Sequence, residues 1–303
     1  MNKVLFINHK KQKCGVYQFG KLTFEAIRSS KIFDYKYAEV ESLQEFQSAY
    51  IKNSPHIILF NYHDQTQPWL TEQVLSELPS HIKKIAIGGH DCFANFDSID
   101  IQIIPDPTIT ETNKIKKVDR LILDYAAIDG VIPNSVGSFG FGFFGKDWGR
   151  IIHIVNSSPD IKLLRLHIPY SDFADPNGHT STYIANSCRQ LLDPRIHLDI
   201  SHEFMSIPDL LKWLSRHSIN IFPYEEMKGR GISSTIDFAL SCRRPIGISK
   251  SDMFRHIYHK QEILLDNNSL PSIINSGISP LKDFYKWDAN NLTNQYDKIL
   301  SSI

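Results

Sequence analysis

Two doubly wound α/β domains, each a parallel sheet wrapped in helices, are the fold class that this sequence predicts. Three observations predict it. The chain has 303 residues, beyond the size at which one hydrophobic core usually stops growing. Short β-rich apolar runs alternate with amphipathic stretches from end to end, the pattern of strand-helix-strand units. Apolar and charged fractions of 42% and 22% are ordinary for a globular protein and leave no long stretch poor enough in core-forming residues to be disordered.

The elements follow in order. In the first half, strands are expected at Val4 to His9, Tyr35 to Val40, His56 to His63, Lys84 to Gly89 and Ile101 to Pro105. The first helix, Val16 to Ser29, carries Phe19, Leu22, Phe24 and Ile27 at helical spacing after Gly15, and others are expected near Ser42 to Tyr50 and Trp69 to Leu78. Periodicity weakens between Pro105 and Pro133, where Thr108 to Lys117 is polar and charged, so the crossing between domains is placed around Leu121 to Asn134. A second alternation opens at Ser138 to Phe144 and resumes with strands at Ile161 to Ile168, His197 to Ser201, Asn220 to Pro223 and Pro245 to Ile248. Between them, helices are expected at Asp147 to Asn156, Thr182 to Leu192, Ile207 to His217 and Ser233 to Ser241. Leu292, Tyr296 and Ile299-Leu300 keep helical spacing in the tail. The expected division is 1–125, 126–290 and a packed terminal helix, 291–303.

Charge and composition exclude several classes. Thirty-three basic residues balance 33 acidic ones, so no global field favours nucleic acid or an anionic membrane. No run approaches the roughly 18 apolar residues of a spanning helix, although peripheral membrane contact stays open. The cysteines Cys14, Cys92, Cys188 and Cys242 form neither a CxxC pair nor a disulfide framework, which fits a reducing cytoplasm. There is no HExxH and no DxD pair, so no metal site is expected. A GxSxG elbow, a Walker lysine loop and a GxGxxG after the first strand are also missing, which argues against hydrolase, ATPase and dinucleotide-dehydrogenase chemistry.

The most informative stretch runs from Ile221 to Leu240: a strand, an acidic glycine-bearing loop with Glu225, Glu226, Gly229, Arg230, Gly231 and Ile232, then a helix opened by Ser233 and Ser234. The glycines let a backbone approach a ligand closely, while the serines can cap the helix and face an anion. After it, Cys242-Arg243-Arg244-Pro245 leads into a buried strand. A second block, Pro133 to Asp147, holds Gly137, Ser138 and Lys146 within a glycine-aromatic segment. Phe139, Phe141 and Phe143 alternate at period two and read as fillers of one sheet face.

These two blocks resemble retaining GT-B glycosyltransferases, which are built from two Rossmann-like domains facing a central cleft. The resemblance implies transfer of a hexose from a nucleotide-diphosphate sugar to a glycan or related acceptor, with the nucleotide sugar as co-substrate and neither cofactor nor metal. It implies that Lys146 meets the donor diphosphate, with Gly15, Gly137, Ser138, Glu225, Glu226, Arg230, Gly231, Ile232, Ser233, Ser234 and Asp237 lining the donor site. His90 and Asp91, at the end of the fourth expected strand, match a family histidine near the reacting sugar. His9, His63, Asp64, Arg165 and His167 stand at other strand ends as second-rank candidates. The two glutamates that retaining members place eight residues apart are replaced here by Arg230 and Phe238. That departure keeps two alternatives in play: a non-catalytic relative that binds a nucleotide or glycan as a scaffold, and a sugar-nucleotide epimerase. No residue pattern specifies the oligomeric state.

Overall fold

The computed structural model describes residues 1–88, 93–126 and 130–303. The chain divides into two compact units. The first comprises Met1–Leu121, Arg230–Ile232 and Trp287–Ile303; the second comprises Ile122–Gly229 and Ser233–Lys286.

The first unit is built from β1 (Asn2–Asn8), α1 (Gly15–Ile27), β2 (Phe33–Glu39), α2 (Leu43–Asn53), β3 (Ile57–Asn61), α3 (Glu72–Ser76), β4 (Lys83–Ile87), β5 (Ile101–Ile104) and β6 (Ile115–Lys117). Its sheet has the order β2-β1-β3-β4-β5-β6, with every pairing parallel. Val4, Leu5, Phe6 and Ile7 are all fully buried because helices cover both faces of a parallel sheet, so its inner strands read as unbroken apolar runs. Leu5, Ile7, Ile58 and Phe60 pack with Phe46 and Leu75 in one core, while Phe6 meets Phe24 of α1 edge to face at 5.8 Å. Ser42 caps α2 by accepting from the Glu45 amide at 3.3 Å.

Two elements differ from the sequence reading. The helix expected at Trp69 to Leu78 shrinks to α3, opened by the Thr71 cap, because Trp69 is instead stacked on Phe46 at 5.1 Å. The polar stretch before Lys117 ends in β6, an edge strand of sequence Ile-Lys-Lys. Lysines suit an edge because they discourage pairing with another chain, but they hide the strand from hydrophobic patterning.

The second unit contains β7 (Ile132–Phe139), α4 (Trp148–Asn156), β8 (Leu163–His167), α5 (His179–Leu191), β9 (His197–Ser201), α6 (Ile207–Ser215), β10 (His217–Phe222), α7 (Thr235–Ser241), β11 (Ile246–Ile248) and α8 (Leu270–Ser276). Its strands lie in the order β11-β10-β7-β8-β9 and are again all parallel. The central strand lies six residues earlier than expected. Gly140, at φ +147°, turns the chain out of β7 in a conformation that side-chain-bearing residues rarely adopt. Only Phe139 of the three alternating phenylalanines is therefore a sheet residue, buried against Phe222 and Phe238 at 6.0 Å. Phe143 is 45% exposed, so the expectation that Phe141 and Phe143 fill the same sheet face is corrected.

The terminal helix α9 (Ala289–Leu300) returns to the first unit. Thr293 donates to the Ala26 carbonyl at 3.1 Å, Ser30 to Asp297 at 2.7 Å, and Tyr296 is fully buried. Among the described residues, no helix is long and apolar enough to cross a membrane.

Candidate functional site

The two blocks singled out in the sequence meet within the second unit. After β7, the chain passes Gly140 and forms a 3-10 turn, Phe144–Lys146, before α4 begins. The turn is fixed from both sides. The Trp148 indole N–H donates to the Phe143 carbonyl at 3.0 Å, and the Glu225 amide donates to the Gly145 carbonyl at 3.0 Å. A Cβ on Gly145 would lie 2.7 Å from the Met227 sulfur, so the loop after β7 and the loop after β10 are in tight contact. The second loop is held in turn by hydroxyls beyond β11: Ser249 donates to the Tyr224 carbonyl at 2.5 Å and Ser251 to the Glu225 carbonyl at 2.7 Å. Gly229, at φ +76°, closes it with its N–H directed at Asp252 at 3.2 Å.

Inside this frame the Lys146 side chain is tucked under Gly140, where a Cβ would come within 2.3 Å of Nζ. The residue is 9% exposed. Its ammonium donates to the Tyr224 hydroxyl and lies 4.5 Å from the Tyr224 ring centroid. Among the described residues it has no carboxylate partner. Tyr224 Oη lies 2.9 Å from Thr235 Oγ1, and Thr235 is hydrogen-bonded to Ser233 Oγ. All four side chains are buried.

An ammonium can only donate, so the Tyr224 oxygen accepts from Lys146; in the Tyr224–Thr235 and Thr235–Ser233 bonds either hydroxyl can be the donor. The two further N–H bonds of Lys146 remain donors. The cluster therefore places hydrogen-bond donors on a buried positive charge, an arrangement that suits an anion and leaves the charge costly without one.

The remaining sequence candidates fall in different places. Ser233 does not cap α7: its hydroxyl is engaged by Thr235, its amide donates to the Met253 carbonyl at 3.1 Å, and the cap residue Ser234 makes no side-chain cap bond. Glu225 and Glu226 are exposed on the loop after Tyr224, and Asp237 is buried in the first turn of α7. Gly137 has a packing reason, since a Cβ there would strike the His217 ring at 2.1 Å. Ser138 is buried in β7. Gly15 opens α1 in the first unit with open space around it. Arg230, Gly231 and Ile232 group with the first unit, and His90 and Asp91 lie outside the described residues.

Among the second-rank candidates, Arg165 is paired with Asp199 at 2.8 Å. His167, at the end of β8, shares a 2.8 Å hydrogen bond with Ser201, and burial, reinforced by the nearby His202, lowers its pKa to about 4. It is a neutral imidazole at pH 7. Beside it, His202 stacks on Tyr170 at 5.2 Å and an interplanar angle of 20°.

Comparison with known structures fits this architecture over nearly the whole chain. HepE of Anabaena, solved with UDP and glucose, superimposes with a TM-score of 0.65 at 12% identity, covering 100% of both chains. The fold is GT-B. A lipopolysaccharide outer core galactosyltransferase, WaaB, in its apo form gives 0.63 at 11% identity, over 99% of this chain and 100% of that one. An alpha-glucosyltransferase solved with UDP gives 0.59 at 11%, over 98% and 94%. No protein-family model matches the sequence, and no curated protein sequence does. Sequence reasoning singled out Lys146 and Ser233 but not Tyr224 and Thr235, which join them. The only signal for Tyr224 was its place directly after the strand-ending Pro223. Among the described residues, no group of three or more His, Cys, Asp or Glu side chains gathers to hold a metal.

Proposed function

We propose that the protein is a metal-independent glycosyltransferase that moves a hexose from a nucleotide-diphosphate sugar to an acceptor, with the donor diphosphate at Lys146. The observation that carries the reading is the buried Lys146 ammonium, which has no carboxylate partner among the described residues and is joined through Tyr224 to the hydroxyls of Thr235 and Ser233. As the bond to the sugar breaks, negative charge grows on the departing diphosphate. A fixed cation stabilises that charge without a metal ion. The UDP and UDP-glucose held by HepE support a uridine nucleotide as the donor's leaving group. The buried thiols of Cys188 and Cys242, which are not in disulfides, support a cytoplasmic setting, where thiols stay reduced.

Incubation with a panel of nucleotide sugars tests the reading. Acceptor-stimulated nucleotide release is expected, and Lys146→Ala is expected to lower turnover by about 10²-fold while leaving a cooperative unfolding transition. A folded variant with normal turnover refutes the assignment of Lys146.

One observation favours a second reading, a nucleotide-binding scaffold without turnover. Phe238 occupies the position of the second family glutamate and is packed edge to face on Phe139 at 6.0 Å, so no carboxylate can act from there. Tight UDP binding with no turnover on any donor and acceptor pair would select the scaffold.

A further inference from the structure

The basic turn Cys242-Arg243-Arg244, which the donor site does not use, borders a cavity of about 290 Å³ whose other walls are Asp124, Tyr125 and Ala126. All six residues belong to the second unit. Helix α7 starts beyond the carboxyl end of β10 and returns to the start of β11, so its last residues stand at the amino ends of the parallel strands. Lys146 follows the carboxyl end of β7, at the opposite edge of the same sheet. Each wall of the cavity is fixed. The Leu123 amide donates to Ser241 Oγ at 2.9 Å, which pins residues 124–126 onto the end of α7. Cys242 is buried with its thiol directed at the Leu211 carbonyl at 3.3 Å, and burial pushes its pKa up to about 12, so the sulfur is a wall and not a nucleophile. Arg244 Nε donates to the Ser215 carbonyl at 2.6 Å. Arg243 donates to Asp124 at 3.0 Å, with its guanidinium 5.0 Å from the Tyr285 ring centroid. These contacts orient both guanidiniums and leave their remaining N–H groups unused among the described residues.

Arg243 stands where a side chain is least expected. It follows Cys242, the C-cap of α7, at φ +51°, the left-handed position that helix ends usually give to glycine. Its ion pair does not account for an arginine there, because the Asp124 side chain is 87% exposed and exposed pairs add little to stability. An arginine held in a strained backbone conformation beside a cavity points to a ligand. The charges select that ligand. Asp124 is the one carboxylate among the cavity's described walls, against two arginines. Next to Ser215, Arg216 adds a third cation, with its Nε buried and without a partner. Guanidinium forks match the oxygens of carboxylates and phosphates. Three cations against one carboxylate leave two positive charges, which a single carboxylate cannot balance, whereas a phosphate monoester carries roughly 1.5 to 2 negative charges and three acceptor oxygens. Size narrows the choice further. The cavity lies at the low end of ligand pockets, which span roughly 300–1,000 Å³, so it has room for a small phosphorylated molecule and not for a nucleotide sugar or a nucleic-acid strand.

We propose that Arg243 and Arg244 form a second anion site, separate from Lys146, that binds the phosphate group of a small phosphomonoester or of free phosphate. The site does not rest on the transfer reading above. A bound phosphate joins residues 124–126 to the end of α7, the place where the chain has just entered the second unit.

The test titrates glucose 6-phosphate, inorganic phosphate and glucuronate by calorimetry into the full-length protein, as wild type, Lys146→Ala and the double variant Arg243→Gly, Arg244→Gln. Thermal midpoints are measured with and without each ligand. Glycine relieves the left-handed backbone and glutamine keeps a donor for the Ser215 carbonyl, so the double variant is expected to fold; Arg243→Gly alone is carried beside it and is expected to weaken binding in the same direction. Saturable binding of a phosphate ligand, equal in wild type and Lys146→Ala and weakened about tenfold in the double variant, is expected. The ligand's rise in thermal midpoint should shrink with it. Tighter binding of glucose 6-phosphate than of inorganic phosphate assigns a monoester to the site, and the reverse assigns the free ion. Equal phosphate affinity in wild type and the arginine variants overturns the proposal. So does loss of binding in Lys146→Ala alone, which puts the phosphate at the donor site. Glucuronate bound as tightly as the phosphates, or no saturable binding of either phosphate, overturns it as well.

Discussion

Lys146 and Tyr224 put opposing demands on the protein. A nearly buried ammonium whose hydrogen-bond partner among the described residues is a phenol is a poor contributor to stability, because desolvating a charge costs more than one neutral hydrogen bond returns. Lys146→Met, of similar length and without charge, is therefore expected to raise the urea midpoint or leave it unchanged while lowering turnover by about 10²-fold. A clear loss of stability would mean that the ammonium has a structural partner. Tyr224→Phe keeps the ring packed on Phe254 at 4.7 Å but removes the oxygen that links Lys146 to Thr235. A fall of roughly tenfold in kcat/KM is expected with little change in thermal midpoint. Unchanged kinetics would show that the hydroxyl chain does not position the cation.

At the scale of the element, α5 shows how the second unit reserves its anion-binding capacity. The amides at the start of a helix attract anions, but here Asp175 takes them, accepting from Thr180 N at 3.1 Å, Ser181 N at 2.8 Å and Ser181 Oγ at 2.7 Å. Burial works against ionisation of Asp175, yet these bonds hold its pKa below the usual carboxylate value. Asp175→Ala is expected to destabilise the protein by about 1–2 kcal/mol, measured by urea unfolding. Because Ser181 supports the turn through Gly142, where a Cβ would lie 2.5 Å from Ser181 Oγ, the same change should disturb the loop that carries Lys146. A kinetic phenotype without loss of stability would contradict this capping role.

Across the whole molecule, two buried histidines set the acid limit. Burial is the main cause that lowers His167 and His217 to about 4, with repulsion from His202 and Arg165 adding to it. The unfolded chain has histidines near 6.5, so between 6.5 and about 4 it binds protons that the folded chain refuses. Stability is therefore full above pH 6.5 and falls as the pH drops through this window. The loss is at most about 1.4 kcal/mol per pH unit for each histidine. Urea midpoints at pH 7 and pH 5 check this, and replacing both histidines with glutamine should flatten the difference. A midpoint that rises on acidification would reverse the assignment.

Much of this was legible before any coordinates. Parallel sheets announce themselves through runs such as Val4 to Ile7, because both faces are covered and every side chain must be apolar. The strand-loop-helix order from Ile221 to Leu240 followed from local turn chemistry, whereas the capping role read for Ser233 did not hold. The start of β7 was misplaced because the segment up to Asn134 was assigned to the crossing between domains and the phenylalanines beyond Gly140 kept a strand's period. The edge strand β6 escaped because two of its three residues are lysines, which carry no apolar pattern.

By itself the sequence determined the fold class and most of the strands and helices. It did so because periodicity, glycine and proline act over a few neighbouring residues. Only the tertiary structure decided that Tyr224 and Thr235 connect Lys146 to Ser233, that Gly137 serves packing, and that Asp124 meets Arg243 beside a cavity. The Tyr224–Thr235 and Lys146–Tyr224 links join residues 11 and 78 positions apart. Which side chains share a buried hydrogen bond at such distances is fixed by how strands and helices pack, and no local pattern carries that information.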